Sequence, residues 1–276
     1  MEVAIVGEKM MPMEEVAPAY LDRGLFFGDG VYEVVRSYDG RLFALDDHLE
    51  RLANSLEAVE IRGVDIEWVR QQVIRAFEQA QIPDAKIYFH ITRGSGPRSH
   101  LPQADSKPNF LLTVTQVDND PRAKAEGIAV CTVADVRWKR CDIKSLNLLP
   151  NVLGKMEAAK RGCEEAIFVD ESGLITEGTS SSFFAVMGGR LRTAPLTANI
   201  LPSITRKYVL KAAAELGLEV AEESVAVGDA VGAEELFIAV TTKDIVPVVR
   251  FDDALIGQGR PGAITTSLAE VFRRFT

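Results

Sequence analysis

A lysine and a glutamate are the residues of this sequence whose types and surroundings most directly suggest chemistry. Lys144 lies in the segment RCDIKSLNLLP (140–150), and Glu177 lies in the run TEGTSSS. Lys144 is the candidate covalent anchor, because a lysine amine that loses its proton is a nucleophile. Most lysines are solvated surface residues, so a role for Lys144 depends on the groups placed around it. Glu177 is the first candidate for such a group.

The segment around Lys144 is predicted to be a strand that is covered on both sides. Read with a period of two, neither of its faces is purely polar or purely apolar, which indicates a partly enclosed lysine. A helix at 152–161, a strand at 166–170, a turn and a returning strand at 174–176 are expected to follow. These elements would deliver Glu177 beside Lys144, so the sequence predicts a cleft that the two residues share.

Three further places carry groups that bind anions or substrates. Ser203 or Thr205 can cap a helix, and free backbone N–H groups at Ile204 and Thr205 would then cradle a phosphate. A plain capping turn is the alternative there. A predicted strand at 235–240 ends in Thr241 and Thr242, which are two more hydroxyl donors. Tyr32 is either a core aromatic residue or a hydroxyl that reaches the substrate side of a cleft.

The expected elements indicate an α+β (mixed α/β) protein of two domains. The polar segment DNDPRAKAEG (118–127) is the predicted linker between an N-terminal domain (1–117) and a C-terminal domain (128–276). The glycine-rich run DRGLFFGDG (22–30) contains no Gly-x-Gly-x-x-Gly pattern between a strand and a helix, so it is not a nucleotide-binding loop. The loop GSGPRSH (94–100) has the composition of a flexible connection.

Composition restricts the classes of partner. The formal net charge is −9 and the sequence pI is about 5.0, which disfavours nucleic acid and anionic membranes and leaves small molecules. Three cysteines without CxxC spacing and three scattered histidines suit neither a disulfide framework nor a metal site. With neither a signal-peptide pattern nor a long apolar run, we expect a cytoplasmic protein whose catalysis uses no metal.

The stretches around Lys144 and Glu177, in their order along the chain, resemble fold type IV pyridoxal-phosphate enzymes. The resemblance implies a smaller N-terminal α/β domain and a larger, β-barrel-like C-terminal domain with helices. It also implies that Lys144 forms the cofactor Schiff base, that Glu177 meets the pyridine nitrogen, and that the arginine of HLERL, Arg51, holds the phosphate. A solvated helix arginine is the alternative for Arg51. The implied cofactor-binding residues are Arg51, Lys144, Glu177, Leu201, Ile204, Thr205, Thr241 and Thr242.

Within this family the strings VYEVV (31–35), RSH (98–100) and IKSLNLL (143–149) resemble the D-amino-acid aminotransferases. In that subfamily the residues that match Tyr32, Arg98 and His100 bind the substrate α-carboxylate, with the last two reaching across a homodimer interface. Two departures, Val240 before the threonine pair and Pro150 after the lysine segment, affect details of phosphate contacts and loop shape.

The resemblance therefore implies transamination between a D-amino acid, such as D-alanine, and a 2-oxo acid, such as 2-oxoglutarate, by a ping-pong mechanism. A branched-chain L-amino-acid aminotransferase is the first alternative. A pyridoxal-phosphate lyase of the aminodeoxychorismate type, which would release pyruvate without a 2-oxo acceptor, is the second. A non-catalytic binding module is disfavoured, because so many residues match the cofactor groups.

Overall fold

The computed structural model describes residues 2–117 and 120–276, and it confirms the predicted mixed α/β class. The helices are α1 (Arg23–Phe27), α2 (Leu45–Ala58), α3 (Ile66–Ala80), α4 (Pro121–Glu126), α5 (Leu149–Lys160), α6 (Ile204–Glu215), α7 (Val227–Val231) and α8 (Ala263–Arg273). The strands of the first part of the chain are β1 (Val3–Val6), β2 (Lys9–Pro12), β3 (Gly30–Tyr38), β4 (Arg41–Leu42), β5 (Ala85–Thr92) and β6 (Asn109–Gln116). Those of the second part are β7 (Ile128–Ala134), β8 (Glu165–Val169), β9 (Ile175–Gly178), β10 (Ser182–Met187), β11 (Arg190–Thr193), β12 (Val220–Glu222), β13 (Glu235–Val240), β14 (Asp244–Phe251) and β15 (Ala254–Leu255).

The first of the two larger sheets is antiparallel and has the strand order β4-β3-β5-β6. Its central strand β3 is rich in β-branched and aromatic residues, which favour a pleated strand. Helices α2 and α3 pack their apolar stripes against this sheet, and Val31, Val35 and Leu52 belong to the shared core. Because side chains alternate along a strand, Tyr32 and the buried Glu33 point to opposite faces.

The second sheet has the strand order β12-β11-β10-β13-β14-β7-β8-β9, and β15 pairs with β14. Its inner strands are buried on both faces. Phe183 and Leu236 belong to one core cluster, whereas their neighbours Phe184 and Phe237 belong to the cluster on the other face. Helices α6 and α8 cover that second face. Burial on both sides explains why β10 and β13 are nearly continuous apolar runs without alternation.

The predicted strand around Lys144 is wrong. Residues 141–148 form turns and bends, and their one ladder contact is the isolated bridge between Ser145 and Val31. Tight local bonds, such as Ser145 N–H to the Ile143 carbonyl at 2.8 Å, curl the chain so that it cannot extend as a strand. Helix α5 also begins earlier than expected, at Leu149, because Pro150 fits the first turn, where no N–H is required.

The division into two domains stays a prediction. Asp118 and Asn119, at the start of the predicted linker, lie outside the described residues. The rest of the linker contains α4, whose Ala123 is buried and whose Lys124 ammonium binds Asp244 at 2.6 Å. Across residues 2–117 and 120–276, none of the helices combines the length and the apolar character that crossing a bilayer requires.

Candidate active site

Lys144 is held between β3 and α2 by its backbone. Its carbonyl accepts a hydrogen bond from Tyr32 N–H at 3.0 Å, and its own N–H donates to Ser55 Oγ at 3.2 Å. The side-chain Nζ lies 4.2 Å from the centroid of the Tyr32 ring. The lysine is half-buried. The curled segment therefore places an amine of limited solvent access on the face of β3 that is opposite to Glu33.

Glu177 lies in β9 and is buried. Its carboxylate accepts hydrogen bonds from the Arg137 guanidinium and from Leu201 N–H, the latter at 3.2 and 3.3 Å to its two oxygens. Burial raises the pKa of Glu177, while Arg137, the Leu201 amide and the positive charge of Lys144 act in the opposite direction. The ion pair with Arg137 favours the carboxylate form, so this site presents an enclosed negative charge.

Arg137 is a residue that the sequence analysis missed. Its guanidinium pairs with Asp135 through Nε at 2.9 Å and Nη2 at 2.7 Å, and it binds Glu177 through Nη1. The guanidinium also lies 4.5 Å from the ring centroid of Phe168. Asp135 in turn accepts a bond from the Thr176 hydroxyl at 2.9 Å. The one sequence signal was the Asp-x-Arg pattern directly after β7.

Arg51 is buried, not solvated. Its Nε and Nη2 bind the two oxygens of Glu33 at 2.7 and 2.8 Å, and its Nη1 donates to the Pro202 carbonyl at 2.9 Å. His48 also contacts Glu33, with 2.7 Å between Nδ1 and Oε2. Burial by itself raises the pKa of Glu33, but Arg51 and then His48 lower it to about 2. A buried carboxylate thus orients the guanidinium toward the start of α6.

The start of α6 combines a side-chain cap with two available amides. Ser203 Oγ accepts from Arg206 N–H at 3.1 Å, as expected for a capping residue. Ile204 and Thr205 are buried, and as the first two residues of the helix they have no acceptor for their N–H groups within it. Since Arg51 binds the carbonyl of Pro202, a cation and two amides meet at one helix start.

The remaining predicted site residues lie in separate environments. Thr241 and Thr242 form a turn after β13, and the Thr242 carbonyl accepts a bond from Arg36 at 2.9 Å. Arg98 and His100 are exposed on their loop. Among the residues that the structure describes, their side chains contact the Phe27 ring, not Lys144. The Tyr32 ring, which contacts the Lys144 amine, also lies 5.9 Å from the ring of Tyr88.

Comparisons with known proteins identify the family. The model of the amino-transferase class IV family matches residues 30–251. The chain belongs to this family. It is 39% identical over 94% of its length to a D-alanine aminotransferase of Bacillus licheniformis, of which it covers 92%. It is 36% identical to one of Staphylococcus haemolyticus, with 99% of this chain and 97% of the relative covered.

Solved structures agree on the fold. A branched-chain aminotransferase from Escherichia coli superposes with a TM-score of 0.86 at 26% identity, over 95% of this chain and 90% of that chain. A branched-chain aminotransferase from Thermoproteus uzoniensis, solved with norvaline, superposes with a TM-score of 0.84 at 26% identity, over 97% and 92%. The predictions of a fold type IV architecture and of a pyridoxal-phosphate-dependent aminotransferase are confirmed.

The residues present fit pyridoxal phosphate. An amine, Lys144, and an enclosed carboxylate, Glu177, lie close enough for the positive charge of the lysine to favour the carboxylate. Arg51 and the first amides of α6 form the kind of donor set that binds a phosphate group. When bound, pyridoxal phosphate supplies an aldehyde that takes up the amino group and a ring that withdraws electrons from the substrate Cα.

Proposed function

We propose that this enzyme transfers the amino group of a D-amino acid, such as D-alanine, to a 2-oxo acid, such as 2-oxoglutarate, by a ping-pong mechanism. The observation that carries the substrate class is the nearly full-length similarity to proteins named D-alanine aminotransferase. The cytoplasmic location expected from the sequence remains a prediction.

Each site residue has a role in this proposal. Lys144 would hold the cofactor aldehyde and would move the proton at the substrate Cα, because its amine lies against Tyr32 on the face of β3 that we assign to the substrate. Glu177, which accepts hydrogen bonds from Arg137 and the Leu201 amide, would keep the cofactor ring nitrogen protonated. Arg51, Ile204, Thr205, Thr241 and Thr242 would bind the phosphate, and Leu201, whose N–H donates to Glu177, belongs to the same cofactor-binding set.

The substrate α-carboxylate is bound by Tyr32, Arg98 and His100. Tyr32 supports this assignment because its ring lies against the Lys144 amine. Arg98 and His100 are exposed and contact the Phe27 ring, which suits groups that complete the site of a second copy of the chain. In such a homodimer each subunit would supply part of its partner's carboxylate site.

An exposed apolar face of α5 supports the homodimer. Leu149, Val152, Leu153 and Met156 recur at helical spacing and are each at least half exposed. Apolar surface of this kind marks a protein interface, and α5 directly follows the Lys144 segment. Sedimentation velocity measures the oligomeric state, and Val152→Asp should shift it toward a monomer of low activity. A fully active monomer would contradict the dimer proposal.

Parallel assays test the substrate class. D-alanine, L-alanine, D-glutamate and L-leucine are each offered with a 2-oxo acid acceptor, and we expect turnover of the D-enantiomers. The solved structures named above fit the branched-chain alternative, but the more similar D-alanine aminotransferases support the main proposal better. Rapid turnover of L-leucine, with D-alanine and D-glutamate ignored, would replace our proposal with that alternative. Pyruvate release without an acceptor would indicate the lyase.

A further inference from the structure

The segment 21–29, to which the sequence analysis assigned no role, holds the loop 94–100. Arg23 N–H donates to the Gly94 carbonyl at 2.9 Å, and Gly96 N–H donates to the Leu21 carbonyl at 3.0 Å. At Gly24 an added Cβ would come within 2.5 Å of Thr92 Cγ2. Two backbone hydrogen bonds therefore join the segments at the base of the loop, and Gly24 packs closely against the end of β5.

The Arg23 side chain also binds the tip of the loop. Its guanidinium donates from Nη1 to the Ser99 carbonyl at 2.5 Å and from Nη2 to the His100 carbonyl at 3.0 Å. Its Nε pairs with Asp29 at 2.8 Å, and the residue is 6% exposed. Because the guanidinium is planar and rigid, binding Asp29 on one edge fixes the direction of the donors on the other.

Phe27 holds the side chains of the same loop. The Arg98 guanidinium lies 5.1 Å from the centroid of the Phe27 ring, and the His100 ring centroid lies 5.4 Å away. The Arg23 guanidinium lies 4.9 Å from the same centroid. One ring thus contacts the residue that binds the loop backbone and both loop residues that we assign to the carboxylate site.

We propose that Arg23 is a positioning residue that holds the loop 94–100 in the conformation in which Arg98 and His100 bind the substrate carboxylate. This inference rests on the proposed role of Arg98 and His100. The loop tip is exposed and lacks helix or strand beyond the bridge at Ser95, so the bonds from Arg23 and the Phe27 contact restrain it near His100. If the loop is already ordered before the substrate binds, binding does not have to offset the conformational entropy lost on ordering it.

A shift in loop population has a specific kinetic signature. The apparent affinity for a ligand falls by the fraction of protein in the binding-competent conformation. The two carbonyls lie on an exposed loop, where water competes for the donor, so each bond is counted at the net strength of an ordinary hydrogen bond. Losing both should then reduce that fraction to about one part in ten to one in a hundred. Once the substrate is bound the loop is ordered again, so KM should rise by the same factor while kcat changes much less.

The experiment compares Arg23→Met with Arg93→Met in the holoenzyme. Arg93 also pairs with Asp29, at 2.9 Å, but its other donors bind the Val59 and Glu60 carbonyls instead of the loop. It therefore controls for a general loss of stability. We expect Arg23→Met to raise KM for D-alanine about tenfold to a hundredfold, with kcat within about threefold. Hydrogen exchange should accelerate in peptides that cover 94–100, and Arg93→Met should change neither quantity.

A variant that lacks both Arg98 and His100 side chains separates the proposed carboxylate site from the proposed role of Arg23. If Arg98→Ala combined with His100→Ala leaves KM unchanged, the carboxylate assignment fails whatever Arg23 does. If that double variant raises KM, Arg23→Met should add little to it, because both act through one loop. The role of Arg23 would be overturned if adding Arg23→Met to the double variant raised KM by the same factor as in wild type. It would also be overturned if Arg23→Met alone had the KM and the hydrogen exchange of wild type. Should Arg23→Met fail to fold, Arg23→Lys keeps a charge for Asp29 but cannot bind both carbonyls, so the same outcomes decide.

Discussion

Replacing Glu33 by Gln should destabilise the protein, because it removes a buried negative charge that pairs with Arg51. Glu33 is 0% exposed and accepts two bonds from Arg51 and one from His48. The substitution keeps the shape of the side chain but removes the anion. Arg51 would then remain buried with its guanidinium opposite a neutral amide, which is the costly way to break a buried ion pair.

The pKa of Glu33 gives the magnitude. It falls from an ordinary 4.5 to about 2 in the folded protein, and a shift of this size corresponds to about 3 kcal/mol of unfolding free energy at pH 7. Direct loss of one partner from a buried pair costs about 3 to 5 kcal/mol. Since the folded-state pKa is depressed, this stabilisation is complete above pH 4.5 and is lost as the pH falls through about 2.

Urea unfolding of the cofactor-free protein measures this effect, because bound cofactor would add stability of its own. We expect Glu33→Gln to lower the unfolding free energy by about 3 kcal/mol at pH 7 and by progressively less below pH 4.5. Glu50→Gln, an exposed position of the same helix α2, is the matched control and should change it by less than about 0.5 kcal/mol. Equal stability of Glu33→Gln and wild type at pH 7 would refute the reasoning.

Three further predictions concern the chemistry. Borohydride should fix the cofactor to Lys144, as judged by peptide mapping, and label on Lys139 or Lys155 would contradict the anchor. Glu177→Gln should keep its cofactor but lose at least about two orders of magnitude in turnover, whereas unchanged turnover would leave Glu177 a structural residue. Arg137→Met removes the cation that opposes the burial-raised pKa of Glu177, so the acid limb of the pH–rate profile should move to higher pH. An unmoved limb would show that Arg137 does not set this charge.

The sequence predicted the elements whose local patterns are strong. Strand β13 matches its predicted bounds, 235–240, and α6 begins after Ser203, one of the two predicted caps. The opposite orientation of Tyr32 and Glu33 followed from strand alternation alone. The family could also be inferred, because its motifs are short strings around single residues such as Lys144. In each case the determining information lies within a few neighbouring residues.

Sequence reasoning failed where the decisive partner is distant along the chain. Arg51 has the pattern of a solvated helix residue, and its burial depends on Glu33 from another element and on Pro202 from the far half of the chain. The strand predicted at 140–150 was wrong because tight turns, not periodicity, curl that segment against β3.

The sequence by itself therefore determined the family, the covalent anchor candidate and most of the regular elements, since these depend on residue type and local spacing. Only the tertiary structure decided which charges meet. Arg137 contacts Glu177, and Arg23 holds the Ser99 and His100 carbonyls, through contacts between segments that are far apart in the chain. Charged groups of this kind are buried only when a partner compensates for the lost water, and that partner is supplied by chain folding.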